Sequence, residues 1–189
     1  MNRIATFLLV VGISSCLGYS LAASSCQWTV KYSKEMPPCF ADTFTFPTKD
    51  GVHYVVRPSH PLKLGQTITI RFSIEGTGRL VPTEGAPPAK LRLLLQQKED
   101  TLTAAEQDKR WWSAPVDLIA GEHTLTAKID PALWYQVFGQ NGATRPERFK
   151  EAIEHLGNVG FTFGGVFAGH GVFSETAPMT FVLKEFSVN

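Results

Sequence analysis

The stretch "QTITIRFSI", Gln66 to Ile74, decides the fold. Side chains of an extended chain alternate between two faces, so Ile68, Ile70, Phe72 and Ile74 share one face and Thr67, Thr69, Arg71 and Ser73 the other. Such alternation fits a half-buried strand and no helix. The same period recurs outward from it. "AKLRLLLQQ" sets Leu91, Leu93 and Leu95 against Arg92, Leu94 and Gln96. "HTLTAKI" turns Leu125, Ala127 and Ile129 inward. "VGFTFGG" turns Val159, Phe161 and Phe163 inward with Gly160, Thr162 and Gly164 between them, and "MTFVLKEFSV" closes the chain as a long strand. "KDG", "RPSHP", "EGTG" and "IAGE" supply turns between these segments. Two short helices interrupt the pattern. "DPALWYQVFG" offers Asp130 as N-cap, Pro131 as first helical residue and Gly139 as stop. "TRPERFKEAIEHLG" starts at Pro146 after Thr144 or Arg145, places Phe149, Ile153 and Leu156 on one face, and ends at Gly157. Both helices fall in one stretch between two strands. The expectation is an all-β chain with two short helices, an antiparallel β-sandwich of jelly-roll type.

The N-terminus reads as targeting. Arg3 precedes the ten-residue apolar run "IATFLLVVGI", which is too short to span a bilayer as a helix and fits the hydrophobic region of a secretory signal. Two processing sites compete. "SLA", ending at Ala22, suits the ordinary signal peptidase and makes residues 1–22 the signal peptide. "ISSC", Ile13 to Cys16, resembles a bacterial lipobox, which makes residues 1–15 the signal and Cys16 a lipid anchor. On either reading the product is exported, periplasmic or extracellular, with an outer-membrane lipoprotein as the alternative. The sequence holds three cysteines, Cys16, Cys26 and Cys39. With Cys16 removed or acylated, Cys26 and Cys39 are left as a pair, most simply a disulfide in an oxidising compartment. Closing that loop restricts the unfolded chain by roughly 3 kcal/mol.

Charge limits the partners. The formal net charge is +1, and removing residues 1–22 takes away Arg3 and leaves a neutral chain. Mixed charges summing to zero give no electrostatic footprint for nucleic acid or an anionic membrane surface. Residues 26–189 are enough for one domain and short of two, and no repeat or like-charge block divides them.

Two motifs stand out. "VGFTFGGVFAGHGVF", Val159 to Phe173, holds five glycines and one histidine. It lacks the Lys of a phosphate-binding loop, and strand formers follow Gly171 where such a loop needs a helix. One reading is structural: Phe161 and Phe163 fill the core, the glycines mark close backbone approach, and "VFAGHGVF" connects to another extended piece. The other is a shallow floor of Gly160, Thr162 and Gly164, bare because side chains are missing, with Phe167 and His170 at its rim. The second motif is "RWWS", Arg110 to Ser113. Strand alternation lets only one of Trp111 and Trp112 join the core; the other is exposed for a ligand, or packed beneath the polar loop "KEDTLTAAEQDK". Arg92 and Gln96 share the polar face of their strand, and Glu84 lies on an adjoining loop. That face is a ligand surface or an ordinary solvated one.

Enzyme signals are thin. There is no G-x-S-x-G or H-E-x-x-H motif, and the five histidines share no metal-ligand spacing. Glu75, Glu84, Asp100 and Asp108 are carboxylates from which a glycosidase pair would have to come. Glu99, Asp100, Glu106 and Asp108 cluster oxygens as Ca²⁺ sites do, although a solvated acidic loop is the plainer reading and no cofactor is expected.

"RWWS" together with "VGFTFGG…GHGV" resembles a set of uncharacterised bacterial exported proteins, over about His53 to the C-terminus. The strand pattern is also similar, at fold level alone, to the jelly rolls of galactose-binding-like and carbohydrate-binding modules, which transfers no site. The favoured expectation is non-catalytic glycan binding. Trp111 or Trp112 stacks on a sugar, Arg110, Arg92 and Gln96 bond its hydroxyls, and Thr162, His170 and Glu84 complete the surface. The rivals are a structural or protein-interaction module of the envelope, and a polysaccharide hydrolase or lyase.

Overall fold

Alternating strands bury their apolar faces only against one another, and here they do so as two antiparallel sheets. The computed structural model describes residues 26–189. The signal segment, its cleavage near Ala22 and acylation of Cys16 therefore lie outside the described residues. The larger sheet runs in the order β2 (Cys39–Phe40), β1 (Trp28–Lys31), β4 (Tyr54–Pro58), β11 (Leu156–Gly164), β7 (Lys90–Gln97) and β8 (Arg110–Trp112), with β9 (Val116–Asp117) also paired to β7. The smaller sheet runs β10 (Gly121–Lys128), β5 (Thr67–Gly76), β13 (Met179–Val188) and β3 (Thr43–Thr45). β6 (Arg79–Pro82) and β12 (Val172–Glu175) form a separate ribbon. The jelly-roll-like sandwich expected from the alternation is the fold.

The core lies between the sheets. Ile68, Ile70, Phe72 and Ile74 of β5 and Phe181 of β13 are buried with Leu91, Leu93 and Leu95 of β7 and Phe161 and Phe163 of β11. The Phe72 and Phe181 rings stack at 5.1 Å, and Trp28 of β1 lies 4.7 Å from Phe161. Each such burial is worth about 1.5–3 kcal/mol. Cys26 and Cys39 are joined, with Cα atoms 5.7 Å apart, an ordinary span for a disulfide; the bond staples the entry to β1 onto β2.

The helices differ from expectation. α1 (Pro146–Glu154) forms, buries Phe149, Ala152 and Ile153, and stops before Leu156, which instead begins β11. The expected helix at 130–139 shrinks to one 3₁₀ turn, Pro131–Leu133. Asp130 does cap it, accepting from the Ala132 N–H at 3.0 Å. Trp134 then leaves helical geometry at φ −122°, ψ 138°. Its indole is fully buried and donates to the Lys128 carbonyl at 2.8 Å, and Tyr135 bridges to Trp112. A helix this short is marginal by itself, so burial of one indole overrides it.

A second difference positions the site. β7 and β11 are covered on both faces: Arg92, Leu94, Gln96, Gly160 and Thr162, all pointing away from the inter-sheet core, are buried as well. Segments 98–103, 135–139 and 165–171 fold over this outer face.

Candidate functional site

Trp111 and Trp112 take opposite sides of β8, as alternation requires. Trp111 enters the main core, meets Phe149 of α1 edge-on at 5.2 Å and donates its indole N–H to the Asp108 carbonyl at 2.9 Å. Trp112 joins a smaller cluster on the outer face with Val56, Leu94 and Ala168, against which Tyr54 and Val137 also pack. Strand register aligns Val56, Gly160, Leu94 and Trp112 in one row across four strands. Trp112 thus lies beneath the 165–171 and 135–139 segments, and not beneath "KEDTLTAAEQDK".

The glycine floor is not open. A Cβ on Gly160 would fall 2.0 Å from the Val55 carbonyl oxygen, so glycine is there to let the β4 backbone approach. Thr162 is fully buried and donates from Oγ1 to the His53 carbonyl at 3.3 Å. The loop 165–171 lies over both. Arg92 holds it, donating from Nη2 to the carbonyls of Gly165 (3.2 Å) and Val166 (3.1 Å), while His53 Nδ1 lies 2.9 Å from the Gly169 carbonyl. Arg92 is 7% exposed, and among the described residues its Nη1 has no partner. Burial lowers its pKa.

Arg110 and Gln96 are likewise turned inward. Arg110 Nη1 pairs with Asp100 Oδ1 at 2.8 Å, with side chains 3% and 0% exposed, and Nη2 donates to the Thr103 carbonyl at 2.7 Å. Gln96 donates to Asp100 Oδ2 at 3.1 Å and accepts from Asn158 at 3.0 Å. Burial pushes the Asp100 carboxyl above its ordinary value, against the opposing pull of Arg110 and the Leu102 N–H. These groups anchor the loop after β7 to the sheet. Of the other acidic residues in this loop, Glu106 faces donors of this chain and Glu99 is exposed. Glu106 accepts from Lys109 at 2.7 Å, from the Thr101 hydroxyl and from the Thr101 N–H at 2.6 Å, and those hydrogen bonds hold its pKa at about 2. Asp108 Oδ1 lies 3.5 Å from Arg145 Nη1 but makes no hydrogen bond among the described residues. Among the described residues no group of three or more His, Cys, Asp or Glu is placed to hold a metal.

What the fold does bring together is Trp112, Glu84 and His170. They line a cavity of about 540 Å³ with Gln136, Val137, Phe138, Gly139, Val166, Phe167 and Ala168. Two phenyl rings stand at its rim, Phe138 at 66% and Phe167 at 59% exposure. Among the described residues the indole N–H of Trp112 has no acceptor, in contrast with those of Trp111 and Trp134. His170 Nδ1 meets Glu84 Oε2 at 2.6 Å, tying loop 165–171 to the loop after β6, and the His170 ring lies 5.7 Å from Phe167. Sequence reasoning missed Gln136, Val137, Phe138 and Val166. The signal was present in "QVFGQNG", where Gly139, Asn141 and Gly142 crowd a segment too turn-rich for a helix.

No family model and no curated protein matches this chain. Among solved structures it is similar to one described as a xylan-binding module CBM15, with 19% identity and a TM-score of 0.43, over 86% of this chain and 94% of that one. That similarity assigns no role to any residue of this chain.

Proposed function

We propose that this is an exported, non-catalytic glycan-binding protein whose ligand enters the cavity between Trp112, Phe138 and Phe167. The carrying observation is the pair of exposed phenyl rings flanking a mainly apolar hollow into which few polar side chains converge. Its volume falls in the range of small-ligand sites. Large solvent-facing rings gathered on one patch mark an interaction surface, whereas scattered ones do not. The C–H faces of a sugar suit Phe138 and Phe167, and its hydroxyls suit Glu84, His170 and the indole N–H of Trp112, which has no acceptor among the described residues; Gln136 lines the cavity with its amide bonded to Gln140 and the Phe138 N–H. Among the described residues Glu84 is the one carboxylate lining the cavity, whereas most glycosidases need two. Export is supported by the Cys26–Cys39 disulfide, which persists in an oxidising compartment.

A glycan array tests the reading, with wild type compared against Phe138→Ala and Phe167→Ala. Both side chains are mostly exposed, so both variants keep the fold. Binding by wild type and a loss of about tenfold in each variant is expected, a change of about 1.4 kcal/mol. No binding by wild type, or binding indifferent to both rings, rejects it.

A further inference from the structure

A second hollow, of about 380 Å³, lies on the same outer sheet face and shares a wall with the first. It is lined by Tyr32, Lys34, Asp50, His53, Tyr54, Leu102 and Gly169. Loop 165–171 borders both: Val166, Phe167, Ala168 and His170 face the first hollow, and Gly169 the second. The apolar cluster beneath the loop runs from Tyr54 at one side to Trp112 and Val137 at the other. Tyr54 is on β4 and Trp112 on β8, three strand spacings away, so the sheet positions beneath the two hollows stand about 14 Å apart.

The second hollow is built as the first is, from rings and a few polar groups. Tyr32 is 62% exposed and meets Tyr54 edge-on at 6.3 Å. Its hydroxyl donates to the Thr101 carbonyl at 3.2 Å, fixing the ring over the hollow. Three lining residues other than glycine hold left-handed backbone, Tyr32 at φ 63°, Asp50 at 44° and Leu102 at 61°. Such conformations cost of order 1–3 kcal/mol each and gather where a site needs a particular shape. Gly169 is required there: its φ is +76°, and a Cβ would fall 1.9 Å from the Tyr54 hydroxyl. The wall at that point is bare backbone.

We infer that this second hollow is a further subsite, and that the ligand is an extended glycan chain contacting both sides of the 165–171 loop, not a single sugar. The inference rests on the glycan reading above and adds the class of ligand. Hollows whose floors stand about 14 Å apart are too far apart for a monosaccharide or a disaccharide to fill both. Contacts at the two ends of one chain act together, so affinity grows with chain length until both subsites are filled.

Titration calorimetry with cello-, xylo- and chito-oligosaccharides, each from the disaccharide to the hexasaccharide, tests it. For the series that binds, affinity rises about tenfold with length. Tyr32→Gly abolishes that rise and leaves disaccharide binding as in wild type; Tyr32→Phe keeps it. Glycine accepts the left-handed backbone, so Tyr32→Gly also keeps its thermal midpoint. Equal affinity for disaccharide and hexasaccharide, or a rise that survives Tyr32→Gly, overturns the second subsite. In that event disaccharide binding that still depends on Phe138 and Phe167 leaves the first reading standing. No binding in any series brings down both.

Discussion

Trp111 and Trp112 are neighbours in the chain and opposites in the fold. Trp111 faces the inter-sheet core, a layer of interlocked rings and aliphatic side chains with its one polar atom satisfied by a backbone carbonyl. Trp112 faces a thinner layer made by loops, where a small apolar cluster sits among the buried polar groups Arg92, Gln96, Arg110 and Thr162 and a cavity remains. Both faces of the large sheet are covered at β7 and β11, but by different physics. The inner one is closed by hydrophobic burial. The outer one is closed by hydrogen bonds and one ion pair that pin loops onto strands. A layer held by loops leaves hollows that sheet-on-sheet packing does not, and both hollows lie there.

The contrast can be broken most directly at the tryptophans. Trp111→Ala is expected to cost about 4 kcal/mol in chemical denaturation, because the sheets cannot collapse onto the space, and Trp112→Ala less than half of that. Equal losses would mean that the outer layer is as tightly packed as the core. Next comes the ion pair. Asp100→Ala strands Arg110 among buried groups and should cost about 3 kcal/mol, while Asp100→Leu combined with Arg110→Met recovers most of it. If the double variant is no better than the single one, the pair holds the loop through its own attraction. Gly160→Ala should then cost about 2 kcal/mol, since the added methyl meets the Val55 carbonyl. A neutral result would show that β4 can move away.

The smallest effect concerns acid. The hydrogen bonds to Glu106 lower it from its ordinary 4.5 to about 2. The folded chain therefore binds fewer protons there than the unfolded chain. That contribution is full above about pH 4.5 and disappears as pH falls towards 2. Glu106→Gln should flatten the stability profile in that window. Asp100 has the opposite sign, since burial raises it: its contribution is present in acid and lost as pH rises through its folded value. A profile that Glu106→Gln leaves unchanged would show that the anchoring of segment 101–109 does not contribute to acid stability.

Strand positions were legible because each depends on period-two alternation within its own segment. Ile68 to Ile74, Leu91 to Leu95 and Phe161 to Phe163 all point where the pattern puts them. The 130–139 helix was misread because Asp130 and Pro131 signal a start that Trp134 then overrides from across the fold. Among the site residues, Trp112, Glu84 and His170 meet at one cavity, while Arg92, Gln96, Arg110 and Thr162 face partners within the protein. A polar side chain on a strand looks the same in sequence whether water or a loop lies above it.

By itself the sequence determined the two-sheet architecture, the cysteine pairing and the division of the tryptophans between two faces, since each follows from local periodicity or from simple counting. Only the tertiary structure decided what covers the outer face. That outcome depends on where three loops land, and loop placement is set by a few distant hydrogen bonds, such as Arg92 to Val166 and His170 to Glu84, between residues far apart in the chain.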